Sequence, residues 1–207
     1  MRGLSRVTAC VAAAIGVVSF SLPAAAAGAL VGAGEVQGTV SNLNFPLVCA
    51  PLCPQNFTFS GSGVAAFGET DADTSCPECN INASEGAITV TAVGSSIAEN
   101  VAGGAGNVSN VTVSSGGICV GWCKFPGPTV CHGVCTSGDS ATLSGLYVRG
   151  GPIVVVVLTG SITLNTSTYS PAVVVAEGLF IPNQTPPATV TSATFVAAFQ
   201  AAGVKAS

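Results

Sequence analysis

Nine cysteines are the residues best able to do chemistry in this chain of 207 residues. Cys10 falls in a leader-like segment, and Cys49, Cys53, Cys76, Cys79, Cys119, Cys123, Cys131 and Cys135 remain. An even set of thiols in an exported chain reads as disulfides, because export delivers them to an oxidising compartment. In an extended strand Cys119 and Cys123 point to the same face but stand about 13 Å apart, beyond the roughly 4.4 to 6.8 Å that a bridge spans between Cα atoms. Cys119 with Cys135, and Cys123 with Cys131, share a midpoint at Gly127, inside the turn-like Phe125-Pro126-Gly127-Pro128-Thr129. Nested bridges across a hairpin are the first expectation, and local pairs Cys119 to Cys123 and Cys131 to Cys135 are the alternative. For Cys49, Cys53, Cys76 and Cys79, nesting needs a one-residue bulge, and local loops fit equally well.

The same residues have a metal reading, since Cys76-Pro77-Glu78-Cys79 has ligand spacing and His132 follows Cys131. Zinc requires thiolates kept reduced, so bridges are the better expectation. Glu69, Asp71, Asp73 and Glu78 form a second cluster, whose oxygens suit Ca²⁺ or, as a carboxylate pair, glycosidic cleavage. It lacks the EF-hand spacing, and a solvated acidic turn explains it more simply. His132 is the single histidine, and a hydrolase triad would need it beside an activated nucleophile. Nucleophile-elbow, zincin, Walker and dinucleotide motifs are absent from the sequence. A non-enzymatic protein without a cofactor is therefore expected, with Ca²⁺ at the acidic cluster as the one cofactor to consider. Trp122, Phe125, Tyr147 and Tyr169 could form an aromatic platform for a sugar or other apolar ligand, although such residues more often pack in a core.

The elements that must position these groups begin after the leader. Arg2 and Arg6, the apolar Val7 to Leu22 and the small residues Pro23 to Ala27 have the order of a cleavable signal peptide, so residues 1–27 read as a signal and 28–207 as one secreted β domain. Beyond Ala27 three bases, Lys124, Arg149 and Lys205, stand against nine acids. That balance disfavours nucleic acid and anionic membrane surfaces as partners. Only 7% of the residues are charged while 48% are hydrophobic, so Ser, Thr and Asn must solvate the surface. Asn56, Asn82, Asn107, Asn110, Asn165 and Asn183 open Asn-x-Ser/Thr sequons, which would be glycan acceptors in a eukaryotic secretory route.

Short Val-, Thr-, Ile- and Phe-rich stretches punctuated by Gly, Asn, Ser and Pro are the strand-and-turn pattern. Strands are expected over 35–43, 55–60, 63–69, 87–93, 107–114, 118–124, 141–149, 153–164, 172–181 and 189–199, with a short helix as an option at 197–204. About ten strands suit a single antiparallel β-barrel or β-sandwich stapled by disulfides. The run Ile153-Val154-Val155-Val156-Val157-Leu158 lacks alternation and is expected to be a central strand covered on both faces. Its other reading is a self-association segment. Six such residues cannot span a bilayer as a helix.

The glycine-rich Gly32-Ala33-Gly34-Glu35-Val36-Gln37-Gly38-Thr39-Val40, then Phe57-Thr58-Phe59-Ser60-Gly61 and a cysteine-bearing hairpin, resemble small exported β proteins of actinomycetes with no assigned function. The resemblance implies a barrel or sandwich and no activity. Hydrophobins share the cysteine count and low charge, but their adjacent Cys-Cys doublets are missing here. The sequence thus points to an extracellular binding or envelope-associated module for a small apolar or carbohydrate ligand, with a self-associating structural or surface-active protein as the alternative.

Overall fold

The computed structural model describes residues 29–44, 55–70, 82–100, 102–115, 118–125, 127–134, 139–164, 167–185 and 189–206. Ten strands run through them: β1 Ala29–Ser41, β2 Gln55–Thr70, β3 Asn82–Asn100, β4 Gly103–Ser115, β5 Ile118–Phe125, β6 Gly127–Val134, β7 Asp139–Gly150, β8 Ile153–Leu164, β9 Ser167–Pro182 and β10 Ala193–Lys205. Every pairing is antiparallel. The order β2-β1-β10-β9-β8-β7-β4-β3 is closed by a further pairing of β2 with β3. Eight strands therefore make a complete ring, which decides for a barrel over a sandwich and sets its size below the ten strands expected. The other two, β5 and β6, form a hairpin joined to β3 through Ile118 to Gly121.

Closure works because inward and outward residues alternate, as the two faces of a strand require. Along β7, Ala141, Leu143, Tyr147 and Arg149 are buried while Thr142, Ser144, Leu146 and Val148 are exposed. The inner residues form a large core cluster, in which Leu30 of β1 and Tyr169 of β9 are fully buried, and a small one of Val36, Ala176 and Ala197. Leu43 after β1 and Val190 before β10 turn into the large cluster. They are joined by the Leu43 N–H donating to the Thr191 carbonyl at 3.1 Å.

Inner glycines make room for large rings. Gly32 lies opposite Phe67, Gly34 opposite Phe199 and Gly94 opposite Phe57. In each case the phenyl ring occupies the place where a Cβ on the glycine would stand. This cross-strand pairing lets an eight-stranded ring accommodate several phenylalanines. In β4 an extra residue between Val108 and Val111 relative to β7 makes a bulge, and Asn110 there takes a left-handed φ of 51°, which asparagine tolerates.

The outer face carries hydroxyl rows in register. One runs Thr39, Ser60, Thr91, Thr112, Thr142 and Ser161 across six strands, and the Thr91 and Thr112 hydroxyls bond at 2.7 Å. These rows solvate a wall that has few charges.

Two expectations are corrected. The optional helix at 197–204 is strand, because β10 pairs with both β1 and β9 through this segment. The run Ile153 to Leu158 is not covered on both faces: Val154 and Leu158 are buried, but Ile153, Val155 and Val157 are exposed. With β-branched residues on both faces, the composition conceals an alternation that the barrel imposes. Among the described residues no helix is long and apolar enough to cross a membrane.

Candidate functional site: the barrel interior

The interior of the ring holds a partly open cavity of about 180 Å³. Its wall is apolar almost throughout, built from β2 (Phe57, Phe59), β8 (Val156, Leu158) and β10 (Phe195, Phe199), with further aliphatic residues from the other strands. Phe57 meets Tyr147 edge-on at 5.4 Å between ring centres, and Phe59 meets Phe195 edge-on at 5.7 Å. Both arrangements place a positive ring edge against a negative ring face.

Asp139, Ser140 and Thr163 also line the cavity, and a concentrated polar network enters its wall near the other end of β7. Tyr147 and Arg149 are two apart on β7 and so share its inner face. Glu99 lies two strands away, and the register places Gly104 of β4 directly between Glu99 and Arg149. With no side chain at Gly104 to part them, Arg149 Nε donates to Glu99 Oε1 at 2.6 Å. The Tyr147 hydroxyl donates to Glu99 Oε2 at 2.6 Å. Arg149 Nη1 also donates to the Gly151 carbonyl at 2.7 Å, in the β7–β8 turn. The guanidinium lies 4.8 Å from the centre of the Phe180 ring, within cation–π range.

Both charged side chains of the pair are only 3% exposed, and an ion pair removed from water persists only with further hydrogen bonds of this kind. Burial pushes the Tyr147 phenol well above its ordinary range, and its hydrogen bond to Glu99 adds to the effect. The phenol is therefore a fixed donor rather than an acid–base group near neutrality. Glu99 accepts both bonds and is thereby fixed in place. The network orients the wall and does not resemble a nucleophile with its base.

The residues singled out from the sequence are placed differently. Tyr147 and Tyr169 are buried in the barrel and form no exposed aromatic platform. Trp122, Phe125, Cys119 and Cys123 fall on β5, and Cys131 and His132 on β6. A hairpin forms there, but not in the expected register: Cys119 is opposite Gly133, Cys123 opposite Thr129 and Cys131 opposite Gly121, because the strands turn about position 126 and not about Gly127. The side chains of this hairpin lie outside those described, as do Cys49, Cys53, Cys76, Cys79 and Cys135. Of the acidic cluster, Glu69 is on β2 opposite Leu30, while Asp71, Asp73 and Glu78 lie outside the described residues.

Sequence reasoning did not join Glu99 to Arg149. A usable signal was present: in a chain this poor in charge, Arg149 falls on the same strand parity as Ala141, Leu143 and Tyr147, which marks it as inward-facing. The comparisons add no relative, for no protein-family model, no curated protein and no solved structure matches the chain.

Proposed function

We propose that this protein is a non-enzymatic, exported barrel that holds a small, neutral, apolar molecule in its interior. The observation that carries the reading is the apolar cavity of about 180 Å³ inside the ring. A cavity of roughly 150 Å³ lined by aliphatic and aromatic side chains stays dry and binds benzene or xenon, because its wall offers water no hydrogen bonds. A monocyclic hydrocarbon suits this volume. Carbohydrate suits it poorly, since its hydroxyls would lose water against phenylalanine and valine. An anionic ligand is disfavoured as well, because Arg149 already has Glu99, the Gly151 carbonyl and Phe180 around it.

The test is thermal unfolding of the full chain with benzene, cyclohexane or benzoate. Ligand that binds only the folded state raises its stability, by about 2.7 kcal/mol at a concentration one hundred times Kd. Benzene and cyclohexane should raise Tm while benzoate leaves it unchanged. Ala92→Leu, which extends a lining side chain into the cavity, should abolish the rise. A Tm indifferent to both hydrocarbons would sink the proposal.

A further inference from the structure

The outer wall of the barrel is divided. Ser, Thr and Asn predominate on β2, β3 and β4, where Val64 and Val93 are isolated exposed hydrophobics, whereas the outer faces of β7, β8 and β9 carry Leu146, Val148, Ile153, Val155, Val157 and Leu179, each between 38% and 61% exposed. These side chains adjoin one another: Leu146 is opposite Val157, Val148 opposite Val155, and Ile153 opposite Leu179. The patch continues onto β10 at Val196, which faces Leu179 and is 39% exposed.

We infer that this face is the interface with a second copy of the same chain. The area supports that occupant. From their fractional exposures the six side chains offer on the order of 500 Å² of apolar surface, in the upper part of the range that a monomer shows as its largest patch. Each partner in a standard interface contributes roughly 800 Å², of which about 65% is apolar in homodimers, or again about 500 Å². One copy thus supplies what one half of such a dimer needs, and a two-fold axis through β7 and β8 sets identical patches against each other. Glu177 lies on this same face, opposite Val155 and two residues from Leu179 on β9, and brings a charge into the patch.

A bilayer is the weaker occupant. A spanning barrel needs an apolar band around its whole circumference, and the hydroxyl row from Thr39 to Ser161 interrupts it across six strands.

The experiment is sedimentation velocity of the full chain over a range of concentrations. The expected result is a rise from one to two chain masses. Val155→Lys should remain a single chain at every concentration, while Ser60→Lys, on the hydroxyl side, associates like the parent. Far-UV circular dichroism checks that each variant is folded, and the milder Val148→Thr should weaken association several-fold if Val155→Lys does not fold. A parent that stays monomeric, or association unaltered in the folded β7–β8 variants, would overturn the inference. So would flotation of a monomeric parent with phosphatidylcholine vesicles, or growth into thioflavin-binding fibrils instead of dimers. The hydrocarbon-dependent Tm is read in the monomeric variant too, so failure of either idea leaves the other testable.

Discussion

Arg149 and Tyr147 bind opposite oxygens of one carboxylate: the guanidinium Nε reaches Glu99 Oε1 and the phenol reaches Oε2, each at 2.6 Å. Glu99 is therefore the hub of the polar network, and deletion of either charged partner leaves the other buried without its counter-ion. Arg149→Met should destabilise the fold by about 3 to 5 kcal/mol in a denaturant titration. Joint replacement by Glu99→Leu and Arg149→Met should recover most of that loss, since no orphan charge remains. A single variant as stable as the parent would show that the pair is solvated in solution.

The phenol sets an alkaline limit. Its folded pKa is raised above the ordinary value of 10.0, so its contribution to stability is complete below about pH 10 and declines as pH rises from there toward the folded value. Tyr147→Phe should lower stability near neutrality through loss of the bond to Glu99 and should flatten the decline above pH 10. Denaturant midpoints measured against pH, parent beside variant, check this. Parallel curves would refute the assignment.

The glycine and phenylalanine pairs predict a cost where a surface-minded reading expects none. Gly94 lies opposite Phe57, whose ring fills the site of a new Cβ. Gly94→Ala should force the ring from its place and cost about 1 to 3 kcal/mol by overpacking. Phe57→Leu combined with Gly94→Ala should be less harmful than the two changes added together. A double-mutant cycle in urea measures that coupling.

Legibility in the sequence follows from where the physics is local. The expected strand 153–164 coincides with β8 because Gly151-Pro152 and the change after Leu164 mark both ends. Expected strands 55–60 and 63–69 are one strand, β2, because Gly61 and Ser62, which look like a turn, pair with Gly38 and Gln37. Pairing of β1 with β10, and the meeting of Glu99 with Arg149 across Gly104, depend on register between residues far apart in sequence. No local periodicity records that register, so the all-β class and a barrel option were readable while the eight-stranded ring and its polar network were not. Tyr147 was legible as an aromatic residue and as a core candidate, but not as a donor to Glu99.

The pairing of β1 with β10, which sets Ala29 opposite Val204, also orders events in time. Of the ring strands β1 comes first in the chain and its partner β10 last, so β1 and β9 each keep an unsatisfied edge until β10 joins them. Such edges readily recruit the wrong strand, and contacts this distant in sequence form slowly. Secure closure of the ring thus waits on the last of its strands, and until β10 is in place β1 is an edge open to a wrong partner.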